Sequence, residues 1–152
     1  MTSPAGEPVV RDAVPADITR WRELWHGYVR STGDTVADDV RDLTWDRTLD
    51  PDVPMSCRLA VDADRVLGFS LSVVHLSTFR RDPVCYLEDL FVDPVARRRG
   101  AARALLDDLV RRGRDQGWSV LYWHTQAGNA RARALYDEFV PADAMVRYRL
   151  PL

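Results

Sequence analysis

The chain has 152 residues, of which 46% are hydrophobic and 29% charged, proportions of one soluble folded domain and too short a length for two. Its 21 basic residues, all arginine, face 23 acidic ones, and the net charge of −2 gives no overall attraction to nucleic acid or to an anionic membrane. No apolar run reaches the length of a membrane span, residues 1–8 carry no signal-peptide pattern, and Cys57 and Cys85 lie outside any metal-ligand or redox spacing, so the expectation is a metal-free cytoplasmic protein with reduced thiols.

Residues 1–8, with two prolines and a glycine, read as a flexible tail, and 9–152 as the single domain. Val9–Val14 is predicted as an edge strand, and Pro15-Ala16-Asp17 opens a helix to about Ser31 whose apolar stripe is Ile18, Trp21, Leu24, Trp25 and Tyr28. Near its end, Trp25 and Tyr28 are candidates for the wall of a substrate pocket. A second helix is predicted over Val36–Leu49, with Val36, Val40, Leu43 and Trp45 inward and Asp38, Asp39, Asp42 and Asp46 outside that stripe. Those acids read first as a solvated face and second as an attraction for a cationic substrate.

From Cys57 the periodicity changes to strands. Cys57–Val61 and Val66–Leu76 flank a turn at Asp62-Ala63-Asp64-Arg65, and Gly68 marks a bulge or a close backbone approach. Cys85–Val92 is a fourth strand, stopped by Asp93-Pro94. A helix follows Gly100, with Leu105, Leu106, Leu109 and Val110 on one side, and ends at Gly113 or Gly117. Trp118–Thr125 is another strand, alternating Val120, Tyr122 and His124 against Leu121, Trp123 and Thr125. Asn129 caps a helix to about Phe139, and Met145–Leu150 is a closing strand. Strand, helix, strand, helix, strand in the second half requires at least one parallel crossover.

The junction after Val92 carries the strongest chemical signal. Three arginines and a glycine stand where a strand gives way to a helix, and a helix start offers unpaired N–H groups and the positive end of its dipole to an anion. Arg97-Arg98-Arg99-Gly100-Ala101-Ala102 fits the pattern arginine or glutamine, two free positions, glycine, one free position, glycine or alanine. By that motif and its strand-to-helix context, the chain resembles the GNAT superfamily of N-acetyltransferases, which hold the pyrophosphate of acetyl-coenzyme A on such a turn. The order of elements over nearly the whole chain is similar as well.

The resemblance implies an α/β fold with a mixed, mostly antiparallel, twisted sheet of six or seven strands, a splayed central strand and about four helices. It implies acetyl-CoA as cosubstrate, held by Leu90, Phe91, Val92, Arg97, Arg98, Arg99, Gly100, Ala101, Ala102, Arg103, Asn129 and Arg131. Asn129 followed by Leu135-Tyr136 matches the family's Asn and Leu-Tyr pattern, and makes Tyr136 the general acid for the departing thiolate. Tyr86-Leu87-Glu88-Asp89-Leu90-Phe91-Val92 resembles the equivalent strand of spermidine/spermine N-acetyltransferases. That similarity implies Glu88 as base and cation anchor, Asp89 as a further contact to the amine, a small amine acceptor of polyamine type, and a homodimer.

Alternation places Glu88 and Asp89 on opposite faces of a regular strand, so both reach one pocket only if the strand bulges there; Glu88 is preferred. Val140-Pro141 replaces the Gly-Phe pair of many relatives, which bears on the acceptor wall. An antibiotic, amino-acid or protein amine as acceptor, and a CoA-binding regulatory module without catalysis, stand as alternative readings.

Overall fold

The computed structural model describes residues 6–152, so most of the expected tail over residues 1–8 lies outside the described residues. Five strands form one sheet in sequential order: β1 (Val9–Asp12), β2 (Met55–Asp62), β3 (Arg65–His75), β4 (Val84–Val92) and β5 (Val120–Trp123). Neighbours from β1 to β4 run antiparallel, and β5 joins β4 in parallel. The helices are α1 (Ile18–Thr32), α2 (Asp38–Leu49), α3 (Ala101–Gln116) and α4 (Ala130–Phe139). Single 3-10 turns at Pro15–Asp17 and Pro94–Ala96 lead into α1 and towards α3.

Alternation along the strands, displaced by one residue at Leu67 where the β2–β3 register shifts, feeds two cores. Leu59, Phe69, Leu71 and Phe91 meet Trp21, Leu24 and Trp25 of α1 and Trp45 of α2 on one face. Ala60, Leu67 and Leu90 meet Ala101 and Leu105 of α3 on the other, and Leu87 meets Leu106 and Leu109 there. A buried ion pair ties the layers together. Asp108 of α3, 1% exposed, takes two hydrogen bonds from Arg58 of β2, at 2.8 Å each, and Arg58 also pairs with Asp12 of β1.

Three expectations are corrected. The sheet has five strands rather than six or seven, because Met145–Leu150 forms no strand. A strand exists through its ladder, and this segment bonds only locally, from the Met145 N–H to Asp143, with its apolar side chains in solvent. Second, α2 begins at Asp38 and buries Trp45, while Val36, Val40 and Leu43 are exposed. Its acids are partly engaged: Asp42 pairs with Arg22 and Arg41, and Asp38 with Arg41, which fastens α2 to α1. Third, β5 is shorter than the expected Trp118–Thr125.

Gly117, at φ 73°, ends α3 in a left-handed cap. Gly68 marks a close approach: a Cβ there would stand 2.4 Å from the carbonyl oxygen of Phe91. Its partner in β2 is Ala60, where the β2–β3 register shifts. Both buried cysteines are free thiols, and burial pushes Cys85 up to about 11.

Candidate active site

The site opens where two strands part. The parallel register of β4 and β5 runs from Val84 opposite Val120 to Leu87 opposite Trp123 and stops, while β4 continues to Val92. Residues 88–92 therefore keep β3 on one edge and have no strand partner on the other. A cleft of about 1610 Å³ occupies that gap, larger than the roughly 300–1,000 Å³ of a single small-ligand site.

The floor is a bulge in β4. Leu71 and Ser72 of β3 are adjacent, yet they pair with Asp89 and Leu87, so Glu88 is the extra residue. The bulge reverses the alternation beyond it. Leu87 faces α3, and Asp89, which regular spacing would send the same way, turns instead towards α1. There it accepts a hydrogen bond from the hydroxyl of Tyr28 at 2.5 Å. Glu88 is exposed and lines the cleft. Burial, and after it the charge of Glu88, raises the Asp89 carboxyl to about 6 against the opposing pull of the Tyr28 hydrogen bond.

Tyr28 also lines the cleft, at the end of α1. Trp25 does not line it; it is 7% exposed and packs between Trp21, Tyr28 and Phe69 in the core. The α1 helix reaches Phe91 closely at Gly27, where a Cβ would lie 3.0 Å from the ring. Leu90, Phe91 and Val92 border the cleft along the free edge of β4.

The basic turn forms the far wall. Arg98 at φ 64° and Gly100 at φ 78° are both left-handed, and Gly100 is the N-cap of α3. Gly100 has no side chain to cap the helix, and the first helical bond runs from the Ala104 N–H to its carbonyl. The amides of Ala101, Ala102 and Arg103 thus begin the helix in the position that suits a bound anion. Arg97, Arg98, Gly100, Ala101, Ala102 and Arg103 line the cleft; Arg99 does not and pairs with Asp62 instead. Arg103 pairs with Glu138 and lies over the Phe139 ring, joining α3 to α4.

Opposite stands α4. Asn129 accepts from the Ala132 N–H at 3.3 Å and donates to Thr125 at 3.2 Å, so it sets the first turn of the helix. From that helix Arg131 and Tyr136 reach the cleft. The Tyr136 ring packs edge-on to Trp123 at 5.5 Å, and burial raises its pKa, so the phenol is protonated at neutral pH.

Sequence and structure comparisons bear on this geometry. The Acetyltransferase (GNAT) family profile matches residues 18–139, which include the whole cleft apart from its C-terminal rim. The chain belongs to the GNAT acetyltransferase family. D-amino-acid N-acetyltransferase HPA3 of Saccharomyces cerevisiae is 30% identical over 93% of this chain and 89% of that protein. Aminoglycoside N(6')-acetyltransferase type 1 of Stenotrophomonas maltophilia is 27% identical over 97% and 96%. Among solved structures, a probable acetyltransferase superposes with a TM-score of 0.83 at 21% identity, covering 95% of this chain and 97% of that one. AAC(6')-Iy in complex with a bisubstrate CoA analogue gives 0.79 at 20%, covering 97% and 100%; at these identities the likeness concerns the fold.

This GNAT chain is accordingly an acetyl-CoA-dependent N-acetyltransferase. The turn at the start of α3 fits the cosubstrate's phosphates in charge and in backbone donors. Among the described residues no cluster of His, Cys, Asp and Glu suits a metal, and no helix is long and apolar enough to cross a membrane.

Sequence reasoning singled out neither Tyr86 nor Tyr122 beside Glu88. Tyr86 and His124 line the cleft, and Tyr122 stacks on Tyr86. The signal was present in the alternation expected over Trp118–Thr125, where Tyr122 and His124 share one face, although β5 itself ends at Trp123.

Proposed function

We propose that this GNAT enzyme acetylates a primary amine of a small cationic acceptor by direct attack in a ternary complex. The observation that carries the reading is the bulge, which puts the exposed carboxylate of Glu88 in the same cleft as Tyr136 and the α3 turn. A carboxylate there attracts an ammonium group and takes its proton, leaving the neutral nitrogen able to attack. Asp89 adds negative charge behind it, and Tyr28 holds Asp89.

Acetyl-CoA supplies the thioester. The free edge of β4 at Leu90–Val92 holds its arm, the amides of Ala101 and Ala102 with Arg97, Arg98 and Arg103 hold its phosphates, and Asn129 and Arg131 flank it from α4. Tyr136 keeps a proton for the departing thiolate, as its raised pKa favours. Alignment of the two substrates in one cleft accounts for most of the rate, since effective molarity lowers such barriers by roughly 7–11 kcal/mol. We take the enzyme to be a cytoplasmic homodimer.

A second acceptor reading rests on the 30% identical relative named for D-amino acids. Thiol release from acetyl-CoA, measured over diamines, polyamines, D-amino acids and aminoglycosides, separates the two. Turnover is expected with diamines or polyamines; turnover with D-amino acids alone would transfer the assignment to them.

A further inference from the structure

Beside Glu88 the sheet carries an aromatic surface that the transfer reaction does not require. Tyr86 of β4 and Tyr122 of β5 are register partners, and their rings stack with centroids 5.0 Å apart at 17°. Each hydroxyl is held by a histidine. His75 Nδ1 lies 2.8 Å from the Leu76 carbonyl, which only accepts, so that nitrogen carries the proton and Nε2 accepts from the Tyr122 hydroxyl at 2.7 Å. His124 Nδ1 meets the Tyr86 hydroxyl at 3.2 Å, and its ring stands edge-on to both tyrosines.

Three rings from β3, β4 and β5, with His124 just past the end of β5, thus form one platform. The α1 and α2 helices cover the sheet face that bears Phe69 and Phe91, and neither enters a core with Tyr86 or Tyr122. His75 and His124 are exposed, and the tyrosines are half-buried. The platform is continuous with the cleft, because Tyr86, Glu88 and His124 line it together. Its electrostatics favour a cation. The exposed carboxylate of Glu88 lines the cleft beside Tyr86, and tyrosine faces attract cations in addition.

We propose that the Tyr86–Tyr122 stack is a second acceptor subsite, holding the distal ammonium of a di- or polycationic amine whose other nitrogen is acetylated beside Glu88. This rests on the reading of the acceptor as a cationic amine. The subsite selects acceptors by length and by a second positive charge, with Tyr86 lining the cleft and the Tyr122 ring stacked against it.

Calorimetry on the protein saturated with CoA tests it without requiring turnover. The probes are α,ω-diamines of three to six carbons, each against the monoamine of the same length. The wild type is expected to prefer one of the diamines, and Tyr122→Leu to reduce that preference by about three- to tenfold, the range of a cation–π contact. Tyr122→Phe, which keeps the ring face, should restore it, and Tyr86→Leu should reproduce the loss.

No diamine preference in the wild type, or a preference untouched in Tyr122→Leu and Tyr86→Leu, overturns the subsite. So does a dimer that Tyr122→Leu dissociates, since the platform would then be covered by a second copy. Diamine preference that depends on Tyr122 without thiol release from acetyl-CoA keeps the subsite and overturns the acceptor reading.

Discussion

The Tyr28 hydroxyl donates to the Asp89 carboxylate at 2.5 Å, joining the last turns of α1 to the strand residue next to the bulge. Burial drives both groups towards their protonated forms: Asp89 to about 6, and Tyr28 well above an ordinary phenol. A carboxyl raised on folding binds a proton more tightly in the native state than in the unfolded one. Its contribution to stability is therefore present at low pH and is lost as pH rises from about 4 through 6.

Asp89→Asn keeps an acceptor for Tyr28 and removes the titration. The variant should exceed the wild type in stability by about 1–2 kcal/mol at pH 7.5, allowing for solvent screening, and the gap should close towards pH 4.5. Urea unfolding at the two pH values reads this directly, and a gap that grows on acidification would contradict it.

Gly100→Val should weaken acetyl-CoA binding at least about tenfold. The residue holds φ 78° as the N-cap of α3, and a β-branched side chain resists that region, so the turn must reorganise. No atom lies within 4 Å of a Cβ built there, so the chain itself makes no clash and the effect acts through the backbone. Calorimetric titration with acetyl-CoA is the check.

Tyr136→Phe should lower kcat by about 10²-fold, within the span of general acid catalysis, and leave acetyl-CoA affinity nearly unchanged. The ring's packing on Trp123 survives the substitution, so stability should change little. A kcat equal to that of the wild type would take the acid role from Tyr136.

Asp108→Ala should cost about 1.5–3 kcal/mol of stability, because it removes the bidentate partner of Arg58 and leaves its guanidinium only Asp12. Thermal unfolding measures it. Residual activity per folded molecule should be preserved, since Asp108 faces away from the cleft.

Gly68→Ala should destabilise by about 1–3 kcal/mol and weaken acetyl-CoA binding as well. Its Cβ would meet backbone, the Phe91 carbonyl oxygen at 2.4 Å and Val92 Cα at 3.0 Å, so relief requires β4 to shift along the edge that borders the cleft. Loss of stability with unchanged cosubstrate affinity would separate the two effects.

Much of this architecture was legible because its signals are local. Helical spacing located α1, α3 and α4, and Asn129 and Gly117 marked an end of each of the latter two. Basic residues and Gly100 between a strand and a helix announced an anion site, since a helix start has the same free amides wherever it lies. The α2 face was misread because its charged positions are resolved by Arg22 and Arg41, one of them on another helix. The closing strand was misread because alternation supplies a face and not a partner.

A contiguous motif in the sequence pointed to the family that the profile over residues 18–139 shows, and the sequence also stated the condition under which Glu88 and Asp89 would both serve a site: a bulge in the strand there. Whether that bulge exists is a matter of register between β3 and β4, which pairs residues far apart in the chain. The tertiary structure decided it, sending Glu88 into the cleft and Asp89 to Tyr28. It likewise assembled His75, Tyr86 and Tyr122 from three strands, and His124 from the residue after β5, into one surface. Side-chain direction in a strand follows from its neighbours' hydrogen bonds, and those are set only when the sheet closes.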